Sequence, residues 1–136
     1  MSEHIIKTDN FFLEISAEID ESDIDNPVNT ILTVEVISCG FSAKAEFETD
    51  VKKLSEFSEN LKSLYNTLDG SASICETYGY KRYISFSADK RGKIMVKGFV
   101  CDEMRNNELN FESSFDQTYL RKFADELFLC YNILVK

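Results

Sequence analysis

The chain has 136 residues and a net charge of −9, with 43% hydrophobic and 12% aromatic residues, one Pro and five Gly. This length and composition predict a single folded domain over residues 1–136, with residues 1–10 as a flexible terminus, and exclude an extensively disordered chain. No stretch approaches the roughly 20 apolar residues of a membrane-spanning helix, and residues 1–10 lack the pattern of a secretory signal, so we expect a cytoplasmic protein without a membrane partner.

The first half of the chain predicts three strands. Apolar and polar residues alternate over residues 11–19, which is typical of a strand with one buried and one solvated face. The acidic segment at residues 20–29 holds the only proline and predicts a surface loop. Further strands are predicted at residues 32–36 and 41–48, and the short Cys39-Gly40 link between them favours an antiparallel hairpin.

A helix is predicted after the third strand. Thr49 or Asp50 can cap its N-terminus by accepting hydrogen bonds from free backbone N–H groups. Gly70 suits the left-handed position that often ends a helix. Apolar residues repeat at helical spacing between these ends, and we interpret them as core: Leu54, Phe57, Leu61, Leu64, Tyr65 and Leu68.

The second half of the chain predicts four strands and a second helix. The strands are placed at residues 71–77, 84–88, 94–100 and 109–111, and Asp116 or Thr118 caps the helix. Residues 78–83 predict a turn with exposed aromatics and a local positive charge. The order βββα-ββββα indicates an α+β fold, with a mainly antiparallel sheet of about six to seven strands and two helices packed on one face.

The two helices share a sequence pattern that suggests an internal pseudo-repeat. Residues of the first helix reappear in the second at a constant offset, as Asp50 and Asp116 illustrate (116 − 50 = 66). The shared pattern is an aspartate followed by an apolar stripe at helical spacing. We therefore predict two similar helices that serve one core.

The excess negative charge lies in the first half of the chain. Residues 1–66 contain five Lys against fourteen Asp and Glu (5 − 14 = −9), whereas residues 67–136 contain ten basic and ten acidic residues. This balance argues against a nucleic-acid partner and is compatible both with attraction to a basic protein and with solubility alone. The residues proposed to bind a partner lie in and beside the acidic loop: Glu18, Asp20, Glu21, Asp23 and Asp25.

No constellation of residues predicts catalysis, a cofactor or a metal site. The chain has a single histidine, His4, in the segment expected to be frayed, and no phosphate-binding or nucleophile motif. The four cysteines lie far apart without a Cys-x2-Cys pair, which argues against a zinc site and agrees with reduced thiols. The acidic loop lacks the central glycine and the closing glutamate of a calcium loop. We therefore expect that the protein is not an enzyme.

The chain resembles the WapI-type bacterial immunity proteins over residues 11 to 134. The elements that carry the resemblance are Gly40-Phe41-Ser42, the apolar helix that ends at Gly70, Gly92-Lys93-Ile94-Met95-Val96-Lys97-Gly98, Leu109-Asn110-Phe111 and Asp116-Gln117-Thr118-Tyr119-Leu120. The last of these is the most specific. The segment at residues 76–83 departs from the pattern because it has no tryptophan.

The resemblance implies a cytosolic immunity protein that binds a bacterial toxin domain and blocks it without catalysis. It supplies no catalytic residues. The acidic first half would suit a basic toxin. Two alternatives stay open at this point: a structural or assembly domain that associates through an exposed strand edge, and a small enzyme with an unrecognised site.

Overall fold

The computed structural model describes residues 3–135. Within them, eight strands form two four-stranded antiparallel sheets in the orders β1-β2-β3-β4 (sheet A) and β5-β6-β7-β8 (sheet B). The elements are β1 Glu3–Lys7, β2 Phe11–Ile19, β3 Thr30–Ser38, β4 Phe41–Thr49, α1 Val51–Thr67, β5 Ser71–Cys75, β6 Tyr83–Ala88, β7 Lys93–Cys101, β8 Glu108–Asp116 and α2 Arg121–Tyr131. Short 3-10 turns at Gln117–Tyr119 and Asn132–Val135 flank α2.

Each half of the chain folds as four strands followed by a helix. The α+β class, the antiparallel pairing and the pseudo-repeat are thereby confirmed. Two details of the prediction are corrected: the strands number eight, and they form two sheets with a helix pair instead of one sheet with both helices on one face. The division into two sheets was not visible in the sequence because the alternation that marks a strand does not show whether strands before and after α1 pair with each other.

One hydrophobic cluster joins both sheets and both helices. Every second residue of each strand points into it, as the alternating burial of β2 and β3 shows. Phe11 of sheet A connects the sheets, because its ring centroid lies 6.2 Å from that of Phe111 and 5.9 Å from that of Phe115 in sheet B. Gly98 leaves room for this contact, since a Cβ there would lie 2.5 Å from the Phe111 ring.

The two helical segments begin with equivalent caps. The Asp50 carboxylate accepts a hydrogen bond from the Lys52 backbone N–H, and the Asp116 carboxylate accepts one from the Thr118 N–H. The structure therefore confirms Asp50 as the cap of α1, whereas Asp116 caps the 3-10 turn Gln117–Tyr119, and α2 follows Leu120 without a side-chain cap. The predicted role of Gly70 in ending the helix is wrong: α1 ends at Thr67, and Leu68 is the residue that caps it, with a left-handed conformation and an N–H that donates to the Leu64 carbonyl.

The prediction of a flexible segment over residues 1–10 is wrong for Glu3–Lys7, which form β1 along β2. His4 is 1% exposed, and its Nε2 lies 3.0 Å from the Tyr131 hydroxyl of α2. Nδ1 of His4 has no hydrogen-bond partner among the described residues, and the nearest Glu126 carboxylate oxygen lies 3.9 Å away. Contact with α2, which is distant in the sequence, orders a strand too short for its periodicity to predict.

We expect His4 to make the fold less stable in mild acid. Burial lowers the pKa of His4 from 6.5, an effect that the Glu126 charge only partly offsets, while burial raises the pKa of Tyr131 to about 12 and keeps its hydroxyl protonated. The unfolded chain therefore binds a proton at His4 at a higher pH than the folded chain, so stability falls as the pH drops through 6.5 towards the lower folded pKa.

Urea unfolding at about pH 7.5 and about pH 5.5 measures this loss, with His4→Phe as the matched variant that cannot titrate. The wild type should lose more free energy of unfolding between the two pH values than the variant does. An equal loss in both proteins would contradict the prediction.

Candidate protein-binding face

The outward-facing side of sheet A carries a concentration of negative charge, and we call it the acidic face. Strand alternation places the apolar residues of β2, β3 and β4 in the core and leaves the intervening side chains exposed or half-buried. Two lysines, Lys7 and Lys44, and six carboxylates point outwards (2 − 6 = −4). The carboxylates are those of Glu3, Glu14, Glu18, Glu35, Glu46 and Glu48.

Two of these carboxylates face each other at the centre of the sheet. Glu14 of β2 lies directly opposite Glu35 of β3. Like charges in such a cross-strand pair are destabilising, and Lys44, on the other side of Glu35, is the only basic residue in this row of the sheet. The sheet therefore retains a charge arrangement that does not serve its own stability.

Exposed apolar side chains interrupt the acidic face. Ile5, Ile31 and Ile37 are each about 40% exposed, with values of 44%, 40% and 39%. Ile31 lies between Glu18 and Glu48 in the same cross-strand row. A surface that combines unpaired charge with exposed apolar side chains is typical of a site that binds another protein.

The outward-facing side of sheet B, in the equivalent half of the molecule, has a different character. Its lysines lie directly opposite carboxylates, Lys93 beside Asp116 and Lys97 beside Glu112. Five serines occupy much of the remaining surface: Ser71, Ser73, Ser85, Ser87 and Ser114. Since the charges of this surface are matched within the sheet, the acidic face of sheet A is the better candidate for partner binding.

The acidic loop at residues 20–29 joins β2 to β3 and extends the acidic face at its Glu18 end. Asn29 holds the loop in place, because its side-chain amide donates to the carbonyls of Asp23 and Ile24. The Asn29 side-chain oxygen accepts from the Thr30 hydroxyl and from the Val51 N–H at the start of α1. The loop is thus tied to the helix by hydrogen bonds, so its carboxylates occupy defined positions.

The five residues predicted to bind a partner are all exposed. Two of them make local contacts: Asp20 accepts from the N–H and hydroxyl of Ser22, and Asp25 pairs with Lys52 at 3.0 Å. The hydrogen bond from Lys52 to Asp25 raises the pKa of Lys52. Glu18, Glu21 and Asp23 have no side-chain partner among residues 3–135. The predicted residues therefore lie at the end of β2 and along the loop that follows it, and their role in binding stays a prediction.

Glu14, Glu35, Glu46 and Glu48 were not predicted to form a single surface. Their alternation with apolar residues indicated solvated strand faces. Which strands are neighbours, and in which register, decides that these faces form one sheet surface. A signal was present in the sequence: carboxylates recur at the outward-facing positions of three successive strands.

Two further carboxylates with shifted pKa values, Asp89 and Asp102, serve local turns. Hydrogen bonds from the Lys93 and Arg91 N–H groups lower the pKa of Asp89, and one from the Asn107 side chain lowers that of Asp102. Over residues 3–135, no group of three or more His, Cys, Asp and Glu side chains is placed to hold a metal ion. The described helices include none long and apolar enough to cross a membrane. All four cysteines are free thiols.

Comparisons with known proteins identify a family and a similar fold. The family model described as the immunity protein WapI-like family matches residues 4–133. Among curated proteins, none matches the sequence significantly. The solved structure of the plant transcriptional regulator PBF-2 is similar, with a TM-score of 0.56 and 7% sequence identity, and the match covers 98% of this chain and 82% of that chain. At this identity the likeness concerns the fold alone.

Proposed function

The chain belongs to the immunity protein WapI-like family, and we propose on that premise that it binds a cognate bacterial toxin domain and neutralises it by non-catalytic occlusion. The acidic face and the adjoining acidic loop would contact a basic surface of the toxin. The same proposal places the protein in the bacterial cytoplasm, where its four free thiols would stay reduced.

The observation that supports this proposal best is the Glu14–Glu35 pair. A cross-strand pair of like charges costs stability in the free protein. A basic side chain of a partner placed between the two carboxylates would remove that repulsion. Negative charge spread over the face and the loop would also attract a basic toxin and speed its association.

The proposal is tested by co-expression. A toxin-like C-terminal domain sought among the genes that neighbour this chain's gene is expressed in bacteria with and without this protein, and the surviving cells are counted. We expect survival only when both are expressed, together with a complex that co-purifies. Unchanged survival and the lack of a complex would overturn the proposal.

The role of the acidic face is tested with Glu14→Lys. This change places opposite charges across the strands at positions 14 and 35, so the free energy of unfolding should stay the same or rise slightly. Association with an inactivated toxin domain should nevertheless slow by about tenfold at low salt, and by less at high salt where charges are screened. Stopped-flow kinetics at low and high salt measures the association rates, and urea unfolding measures the stability of the variant.

Glu112→Lys is the matched control, because it changes the net charge equally on the exposed side of sheet B. It should leave the association rate close to that of the wild type. Equal slowing by both variants would show that net charge, and not the acidic face, controls association.

A further inference from the structure

Strand β4 is the edge of sheet A, and one row of its backbone groups points away from the sheet. The turn between β3 and β4 has two residues, Cys39 and Gly40. The residues on either side of it, Ser38 and Phe41, therefore form a hydrogen-bonded pair at the start of the β3–β4 ladder. Since pairing alternates along an antiparallel strand, the odd-numbered residues of β4 bond to β3, and the even-numbered residues direct N–H and C=O outwards. Ser42, Lys44, Glu46 and Glu48 form this outer row.

Within the described residues, the outer row is hydrogen-bonded only at its Glu48 end. The Thr77 N–H donates to the Glu48 carbonyl at 3.0 Å. The outward-directed backbone groups of Ser42, Lys44 and Glu46 have no hydrogen-bond partner among residues 3–135. The register with β3 is continuous from Phe41 to Thr49, without a bulge, and β4 contains no proline. The usual backbone obstacles to pairing with a further strand are therefore absent from this edge.

A groove lies beside the edge. Along Phe41–Ala45 its opposite wall is formed by Val100–Asp102 and Asn107–Leu109. Beyond Glu46 it opens into a concave region with exposed side chains, among them Tyr78, which is 69% exposed, and Ile31. Three carboxylates line this region without an ion-pair partner among the described residues: Glu46, Glu48 and Glu103.

We propose that this edge binds an extended, basic segment of the toxin, which adds to sheet A as a fifth strand beside β4. This inference rests on the proposed function and specifies its mode of binding. Main-chain hydrogen bonds to Ser42, Lys44 and Glu46 supply the attachment, as in other cases where a peptide adds to a sheet edge. The carboxylates of the groove supply the complementary charge.

The register predicts where a basic residue of the segment lies. Outward-facing side chains of an added strand continue the cross-strand rows of sheet A, one beside Lys44 and the next beside Glu46. Pairing ends there because Thr77 already occupies the Glu48 carbonyl, and the residue beside Glu46 takes Lys or Arg. Its cation would enter the concave region that Glu46 shares with Tyr78, whose exposed ring favours positive charge over its face. The residue beside Lys44 is neutral or acidic.

Two variants at one position test the proposal. Lys44→Pro removes the outward N–H and blocks pairing without taking a donor from the β3–β4 ladder, because the Lys44 N–H points away from β3. Lys44→Ala removes the same side chain and keeps the N–H. With the inactivated toxin domain as the probe, Lys44→Pro should bind at least about tenfold more weakly than Lys44→Ala, since the two variants lack the same side chain and differ in the outward N–H. Equal affinities of the two variants would overturn the inference.

Amide hydrogen exchange of the wild-type protein provides a readout that does not depend on the proline variant folding. The N–H groups of Ser42, Lys44 and Glu46 should exchange rapidly in the protein alone and become protected in the toxin complex. A complex that leaves these amides unprotected would overturn the inference while the proposed function stands. Protection in the protein alone, together with a dimer in sedimentation, would assign the edge to a second copy of this chain and also overturn it. Failure to form any complex would overturn both proposals.

Discussion

Phe86→Ala should lower the free energy of unfolding by about 3–5 kcal/mol, the range for removing a fully buried phenylalanine side chain. Phe86 of β6 is 0% exposed and lies where both helices meet sheet B. Its ring centroid is 6.0 Å from that of Phe57 in α1 and 6.1 Å from that of Phe123 in α2. The ring centroid of Phe115 in β8 lies 6.5 Å from that of Phe86. The cavity that this substitution leaves would therefore weaken the packing of both helices against sheet B.

Urea unfolding followed by circular dichroism measures this loss. Phe41→Ala is the matched control, because Phe41 is 71% exposed and its truncation removes the same atoms from the surface. It should change the stability by less than about 0.5 kcal/mol. Similar losses for the two variants would contradict the view that the cluster around Phe86 joins the helices to the sheets.

Arg82→Met should lower the free energy of unfolding by a similar amount, about 3–5 kcal/mol, because it leaves the Glu76 carboxylate buried without its cation. The two side chains are 7% and 6% exposed and pair at 2.6 Å. Arg82 also donates to the carbonyls of Cys101 and Asp102, both at 2.9 Å. Glu76 accepts from the Tyr80 and Arg82 N–H groups, so the pair holds the segment that carries Tyr78 beside the groove.

A double-mutant comparison separates the unpaired charge from the lost packing. Glu76→Gln removes the charge and keeps an oxygen that can accept from the two N–H groups. The double variant Arg82→Met/Glu76→Gln should therefore be more stable than Arg82→Met by at least about 1 kcal/mol. Arg105→Met is the surface control: its pair with Glu108 is half-exposed, and its removal should hardly change stability. If the double variant were no more stable than Arg82→Met, the buried charge would not be the cause.

The sequence by itself determined the local elements of this protein. Alternation of apolar and polar residues marked β2 to β4 and β6 to β8, because a strand with one buried face needs a period of two. The constant offset between Asp50 and Asp116 identified two helical segments with equivalent caps, since a cap depends only on residues near it in the chain. The family resemblance likewise followed from local motifs.

The tertiary structure alone decided how these elements combine. Strand register placed Glu14 opposite Glu35 and made the acidic face one surface, and the open edge of β4 followed from the division into two sheets. His4 and Arg82 were expected in a frayed terminus and an exposed turn, but Tyr131 and Glu76 hold them in buried positions. In both cases the environment of a side chain comes from partners brought together by folding. Periodicity along the chain describes a residue's own element and does not identify those partners.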